Sequence, residues 1–259
     1  MTKEAVNLVK GNRQIVLQVT AVVIFLLGWE FGCRYFKVPF YLIPVPSTIG
    51  VRFYESIIDL TLLRHGWVTI SEIALGFLQG AVAGFVLGMI FAEFETLRVI
   101  MNPFIMATQV TPKTALAPLF IIWFGFGIAS KVFIVALIAF FPVLVNTIAG
   151  VRSVDAEKID LMRTYGASRL KIIRFVKLPA AFPNIFAGLE VASVTSVLGA
   201  IIGEFVGSKS GLGRLILMAG ERLDMGLVFS SILVLLIIGA GLQVAGDRLK
   251  KRLLFWVGR

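Results

Sequence analysis

The chain has 259 residues with a net charge of +10, and 58% of them are hydrophobic. Since globular proteins are roughly 45–50% apolar, this composition excludes a soluble protein and indicates an integral membrane protein. The positive charge is then explained by lysines and arginines placed about a membrane, so nucleic acid is not an expected partner. A single cysteine, Cys33, excludes an intrachain disulfide, and a single histidine, His65, excludes a multi-histidine metal site.

Six segments are apolar enough to cross a bilayer, which takes about 20 residues. They are residues 15–33, 67–92, 99–124, 129–150, 183–206 and 226–247. The predicted organisation is an N-terminus (1–14), one transmembrane domain (15–250) with a polar loop at 153–179, and a tail (251–259). No small-residue cleavage site follows the first segment, which favours a retained span over a cleaved signal peptide.

The distribution of positive charge predicts the orientation. The flanks on the side of the two termini hold sixteen lysines and arginines, whereas the opposite flanks hold eight. The positive-inside rule therefore places both termini and the loop at 153–179 in the cytoplasm. The basic cluster from Arg248 to Arg252 is expected to contact lipid headgroups.

A short amphipathic helix is predicted after the first span. Pro39, Pro44 and Pro46 break the chain, and Ser47 is a candidate N-cap for the stretch that follows. Its apolar side chains recur at helical spacing, which is typical of a helix lying in the membrane interface.

The second span carries a glycine every four residues, namely Gly76, Gly80, Gly84 and Gly88. Such a stripe lets a neighbouring helix approach closely in lipid. Glu72 lies one turn earlier on the same face, and we expect it to be hydrated near the outer interface.

The third span is polar and interrupted. It contains the prolines Pro103, Pro112 and Pro118 and the polar residues Thr108, Gln109, Thr111 and Lys113. Prolines leave backbone carbonyls unpaired, which at membrane depth is tolerated where protein or a water-filled cavity covers them. Lys113 is therefore either a functional residue or a lysine that pairs with the freed carbonyls or snorkels to the interface.

The fifth span has one face of small residues: Gly188, Ala192, Ser196, Gly199 and Gly203, with Thr195 beside them. Such a face indicates either tight helix packing or the wall of a passage. Glu190 and Glu204 lie off this face near the two ends of the span, where we expect them to be solvated.

The polar loop between spans four and five predicts two short helices. Asp155 can cap the first helix, and Gly166 can end it in the left-handed conformation. Ser168 can cap the second helix, which should stop near Leu178 because Pro179 disfavours helix in the residue before it.

The remaining motifs argue against an enzyme. Residues 207–225 predict an outward-facing turn and a short helix, and their glycines do not form a phosphate-binding loop, because the G-x-x-x-x-G-K-[ST] pattern is absent from the chain. The sequence also lacks HExxH, GxSxG and paired cysteine motifs. No catalytic residues, metal or cofactor of its own are therefore expected.

The central loop resembles that of the permease subunits of bacterial binding-protein-dependent ATP-binding-cassette (ABC) importers. Their motif EAA-x3-G-x9-I-x-LP has the same spacing here, from Asp160-Leu161-Met162 through Gly166 to Val176-Lys177-Leu178-Pro179, with Asp, Leu-Met and Val as departures. The segments 112–127, 140–155 and 203–213 are similar to the nitrate, sulfonate, taurine and bicarbonate branch of that superfamily. The similarity extends over about residues 40–250.

This resemblance implies an all-α fold of six transmembrane helices with a cytoplasmic coupling-helix loop, as in type I ABC importers. In such permeases the first helix of the loop docks on a separate ATPase. The positions that correspond to this helix and its turn are Asp155, Glu157, Asp160, Leu161, Met162, Arg163, Tyr165, Gly166 and Ala167.

The resemblance also implies the partners. These are two cytoplasmic ABC ATPase subunits that bind ATP and Mg²⁺, a second permease copy, a periplasmic or lipid-anchored solute-binding protein, and the lipids of the bacterial inner membrane. The path for a small, anionic solute is expected between spans three and five. Its candidate residues are Thr108, Thr111, Lys113, Thr195, Ser196 and Gly199.

Three alternatives remain open at this level. An ion-gradient-driven secondary transporter would use intramembrane acids such as Glu72, Glu190 or Glu204, but it leaves the central loop without a role. An integral-membrane enzyme lacks its catalytic residues. A membrane anchor that only recruits a partner does not account for the interrupted third span.

Overall fold

The computed structural model describes residues 3–253, with side chains from residue 16 onward. Within this range the chain is built from helices. They are α1 (Lys3–Tyr35), α2 (Pro46–Ile58), α3 (Thr61–Glu93), α4 (Glu95–Val110), α5 (Ala117–Phe124), α6 (Ile128–Arg152), α7 (Ala156–Thr164), α8 (Arg169–Ile172), α9 (Leu178–Gly207), α10 (Leu212–Glu221) and α11 (Met225–Leu253).

Five helical segments are long and apolar enough to cross a membrane: Val16–Tyr35, α3, α6, the segment Arg169–Gly207 that contains α9, and α11. A sixth span is formed if α4 and Lys113–Phe124, which meet at an angle of 87°, count as one broken span. The break falls at Pro112, where the proline cannot donate the helical hydrogen bond. The predicted all-helical, multi-spanning fold is confirmed.

The chain divides into two compact units, and the first contains residues up to Thr61 together with Ile216–Ile232. Its α2 is the predicted amphipathic helix, but Ser47 is not the N-cap. Val45 occupies that position, whereas the Ser47 amide donates to Glu30 Oε2 at 3.0 Å. Arg52 donates to Asp224 Oδ2 from Nε at 3.0 Å and from Nη2 at 2.7 Å, and these bonds raise the pKa of Arg52.

The second unit, Leu62–Leu215 with the chain from Leu233 onward, is organised around α6. The glycine stripe of α3 lies against α6 so closely that a Cβ on Gly84 would be 2.6 Å from the Phe140 carbonyl oxygen, and one on Gly88 would be 2.7 Å from Thr147 Cβ. The predicted close approach of a second helix is confirmed, and its partner is α6.

The small face of α9 packs on a neighbouring side of the same helix. A Cβ on Gly188 would lie 2.9 Å from the Pro142 carbonyl oxygen, and one on Gly203 would lie 3.0 Å from Lys131 Cγ. Val135, Ala139 and Val143 of α6 are fully buried as a result. Of the two explanations for the small face, the structure supports helix packing.

Candidate functional site

The helix that corresponds to the coupling helix, α7, contains no buried residue, and apart from the half-buried Ile159 and Met162 its side chains are exposed. Its charges are paired locally, because Lys158 contacts Asp155 at 2.7 Å and Arg163 contacts Asp160 at 3.1 Å. The hydrogen bond that Lys158 donates to Asp155 raises the pKa of Lys158. Within this charged surface the apolar side chain of Leu161 is 57% exposed, so an apolar contact is available to a partner.

Gly166 ends this region as predicted. Its φ of +73° lies in the left-handed region, which glycine adopts at low cost. Its amide donates to the Arg163 carbonyl at 2.9 Å, and the Ala167 amide donates to the Met162 carbonyl at 3.0 Å. These two bonds form a Schellman-type ending that fixes the direction in which the chain leaves the helix.

Asp155 and Ser168 stand at the N-cap positions of α7 and α8, but neither side chain makes a capping hydrogen bond. Asp155 is engaged by Lys158 instead. The predicted N-cap positions of the two helices are therefore confirmed, whereas the predicted capping hydrogen bonds are absent.

The prediction that the second loop helix stops near Leu178 is wrong. A π-helical turn, Ile173–Lys177, joins α8 to α9, and the Leu178 amide donates to the carbonyl of Ile173. The wider turn shifts the hydrogen-bond register, so that Pro179 falls in the first turn of α9, where a missing amide proton removes no required bond. The loop is therefore continuous with the fifth span.

Lys113 lies in a depression between the broken third span, α6 and α9. The depression is lined by Gln109, Lys113, Ile138, Phe141, Pro142, Val145, Asn146, Val191 and Thr195. The ammonium group of Lys113 lies 4.9 Å from the centroid of the Phe141 ring, a distance suited to a cation–π contact. Among the described residues no hydrogen bond joins Lys113 to a carbonyl freed by the prolines, so its charge is available to a ligand in the depression.

The other predicted path residues divide into two groups. Thr108 and Thr111 are exposed on α4 and its end, where their hydroxyls donate to the carbonyls of Phe104 and Ala107 at 2.9 Å. Ser196 is fully buried and donates to the Ala192 carbonyl at 2.7 Å, while Gly199 packs on Val135. The structure thus brings Lys113 and Thr195 together and places Ser196 and Gly199 in the α6–α9 contact.

Asn146 is a member of the depression that sequence reasoning missed. It lies on α6, and its side-chain amide donates to the Pro142 carbonyl at 2.8 Å, which leaves its amide oxygen available. The signal was present, since Asn146 is an amide in an otherwise apolar span next to a proline. A neighbouring depression shares Thr195 and adds Gln243 and Asp247 from α11.

The expectation that Glu72 and Glu204 are hydrated is wrong. Glu72 is 1% exposed and Glu204 is fully buried. Glu204 Oε1 accepts from Thr69 Oγ1 at 2.6 Å, and its Oε2 accepts from the Gly213 amide. The turn that follows α9 folds back over the carboxyl group of Glu204, which the spacing along one helix could not reveal.

The comparisons with known proteins agree with this arrangement. Residues 81–255, more than half of the chain, match the family described as binding-protein-dependent transport system inner membrane component. The riboflavin transport system permease protein RibX of Chloroflexus aurantiacus is 33% identical over 93% of this chain and 89% of its own. The taurine transport system permease protein TauC of Escherichia coli is 30% identical over 95% and 92%.

A third relative is the putative aliphatic sulfonates transport permease protein SsuC of Bacillus subtilis, which is 35% identical over 83% of this chain and 78% of its own. Among solved structures, an inward-facing MetNI methionine ABC transporter has a TM-score of 0.67 at 20% identity, covering 74% of this chain and 96% of its own. That likeness establishes the fold. The chain therefore belongs to the binding-protein-dependent ABC importer permeases, multi-pass inner-membrane subunits that have no ATPase site of their own and work with separate ATPase and binding-protein subunits.

Proposed function

We propose that this chain forms the translocation path for a small, anionic solute, and that residues 155–167 couple the path to two cytoplasmic ATPase subunits. Two copies of the chain line the path, and an external binding protein delivers the solute. ATP and Mg²⁺ are bound by the ATPase partners. Both termini lie in the cytoplasm, as the positive-inside distribution indicates.

The observation that carries the coupling proposal is the exposed α7 with its glycine-fixed end. Tyr165 is 81% exposed and Leu161 is 57% exposed, although large apolar side chains without a partner are unfavourable in water. Because the flanking charges pair among themselves, the helix offers apolar contacts within a polar rim. This pattern is typical of a protein–protein contact.

The observation that supports an anionic solute is Lys113. Its charge faces a depression whose other polar groups, Gln109, Asn146 and Thr195, are neutral. A cation among neutral hydrogen-bonding groups favours an anion over a cation of similar size. Two of the relatives are named for taurine and aliphatic sulfonates, and a third for riboflavin, so the solute class is proposed chiefly from Lys113.

The proposed path surface consists of Thr108, Thr111, Lys113 and Thr195, with Asn146 added. Ser196 and Gly199 support this surface from behind, since their contact with α6 holds Thr195 at the edge of the depression. The carboxyl groups of Glu72 and Glu204 are buried and do not line the depression.

The test is purification of the tagged chain from gently solubilised membranes. We expect an ABC ATPase to accompany it at one copy per permease, and Leu161→Asp to abolish that association, because the substitution places a charge in an apolar contact. Thr164→Asp, on an exposed position of the same helix, is the matched control for added charge. A chain that purifies alone and still performs gradient-driven uptake would instead be a secondary transporter.

A further inference from the structure

We propose that Glu93, the last residue of α3, is a positioning residue that transmits movement of the coupling loop to the second span. The inference rests on the proposed function, because it takes residues 155–167 as the place where the ATPase acts. Glu93 would be a second mechanical connection between the loop and the spans. The first connection is the continuous helix that leads from the loop into α9.

Glu93 holds the coupling loop at two points, the first residue of α8 and the last residue of the π turn. Its Oε1 accepts a hydrogen bond from Lys177 Nζ, and its Oε2 accepts one from Arg169 Nε at 3.2 Å. Its backbone carbonyl accepts a further bond from Arg169 Nη2 at 2.7 Å. One acidic residue at the end of α3 therefore contacts the start of α8 and the end of the π turn.

The environment of this carboxylate strengthens the contact. The side chain of Glu93 is 8% exposed and that of Lys177 is 18% exposed, so water screens the pair far less than it screens a surface ion pair. The Arg169 guanidinium also lies 4.6 Å from the centroid of the Phe94 ring. The guanidinium is thus held by a carboxylate, a carbonyl and an aromatic face, all from the end of α3.

Glu93 also shares a cleft with the coupling helix. The cleft is lined by Glu93 together with Ile159 and Arg163 of α7 and Ala167 of the following turn. A displacement of α7 therefore reaches Arg169 within a few residues, and Arg169 is bound to α3.

The π turn explains why a second connection is needed. A π turn interrupts the α-helical hydrogen-bond pattern, is frequent at functional sites and is a place where helices bend. Glu93 contacts the last residue of this turn and the first residue of α8, so that bending of the turn pulls on α3 as well as on α9. Because the glycine stripe of α3 is packed on α6, movement of α3 then reaches the wall of the depression.

The experiment uses the whole transporter in lipid nanodiscs, with Cys33→Ser as background. Two reporter cysteines are introduced separately at exposed positions, Ala83→Cys on α3 and Val194→Cys on α9. The rate of maleimide reaction at each is measured with and without a non-hydrolysable ATP analogue and Mg²⁺. Co-purified ATPase is quantified in every sample.

With Glu93→Gln we expect the nucleotide-dependent change at the α3 reporter to fall about fivefold or more, which is the lower end of typical couplings between sites. The change at the α9 reporter should persist, since α9 remains continuous with the loop. Lys177→Gln should lower the α3 response in the same direction, since it removes one of the two cations that bind Glu93. Glu95→Gln, which breaks the neighbouring Glu95–Arg98 pair, is the matched control and should change neither reporter.

An undiminished α3 response in Glu93→Gln with the ATPase still bound would overturn the inference. Loss of the ATPase in Glu93→Gln and Lys177→Gln alike would overturn it too, because the cluster would then build the docking surface. If neither reporter responds to nucleotide in the chain with native Glu93, the proposed coupling itself fails, and the inference fails with it. A failure of the proposed coupling is distinguished from a failure of the Glu93 inference alone, because it is observed in the chain with native Glu93.

Discussion

Lys113 provides a test of solute class at the level of one charge. Its ammonium group faces Phe141 and the neutral polar groups of the depression. We expect Lys113→Gln to lower the uptake efficiency about tenfold, since losing a charged hydrogen-bond partner costs about 1.5–3 kcal/mol and about 1.4 kcal/mol corresponds to tenfold. The measurement is ATP-driven uptake into proteoliposomes of the anion carried by the co-purifying binding protein.

Lys113→Arg is the control for this prediction, because it keeps the charge in the depression and should retain most of the uptake. ATPase association should be unchanged in both variants. Wild-type uptake kinetics in Lys113→Gln would remove this residue from the path.

Gly211 is required by the turn that covers the buried carboxyl group of Glu204. Its φ of +113° is accessible chiefly to glycine, and a Cβ there would overlap the carboxylate of Glu204. We expect Gly211→Ala to destabilise the folded chain by about 1–3 kcal/mol and to lower its melting temperature in detergent. Gly239→Ala, where an added Cβ meets no atom within 4 Å, should leave the melting temperature unchanged or raise it.

Loss of Glu204 should loosen the same turn. Glu204→Ala leaves the Gly213 amide without its acceptor and the Thr69 hydroxyl with only the longer bond to the His65 carbonyl at 3.2 Å, and an unsatisfied buried group costs about 1–3 kcal/mol. We expect trypsin to cleave after the exposed Lys209 faster than in the unsubstituted chain. Glu204→Gln keeps one acceptor oxygen and should show an intermediate rate, whereas equal rates in all three proteins would contradict this account.

At the level of the helix, α6 is held between two faces of small residues, one on α3 and one on α9. Without a hydrophobic driving force between helices in lipid, stability depends on such close packing. We expect Gly84→Val to cost about 1–3 kcal/mol through overpacking, because Gly84 lies against the Phe140 carbonyl. Thermal unfolding of the detergent-solubilised chain measures this loss.

The matched control is Ala83→Val, one residue earlier on the exposed face of α3. It places the same β-branched side chain one residue earlier, on a face that is exposed instead of packed on α6. Equal melting temperatures for the two variants would show that the glycine stripe is not a packing surface.

At the level of the whole molecule, the charge distribution predicts that the two ends of α9 lie on opposite sides of the membrane. In a Cys33→Ser background, Lys209→Cys should react with a membrane-impermeant maleimide added to spheroplasts. Lys158→Cys should react only after the membrane is opened, because the loop at 153–179 is cytoplasmic under the positive-inside rule. Both lysines are exposed, so labelling in the reverse order would overturn the proposed orientation.

The sequence by itself determined the class and much of the site. Its apolar segments require helices in a membrane, where each backbone group must be paired within its own segment. The small-residue spacing of the second span predicted its close packing, and Gly166 predicted the end of α7, because these features depend on residues near one another in the chain. The spacing from Asp160 to Pro179, together with the segments 112–127, 140–155 and 203–213, indicated the family.

Only the tertiary structure decided which distant residues meet. Glu72 and Glu204 are predicted to be hydrated when each helix is considered alone, but both are buried in the folded chain, and the turn at 208–213 covers Glu204. Pro179 predicts a helix end from local sterics, yet the chain passes through a π turn directly into α9. The contact of Glu93 with Arg169 and Lys177 joins residues 76 and 84 positions apart, and no periodicity in the sequence encodes such a pairing, since it depends on where two helices end in space.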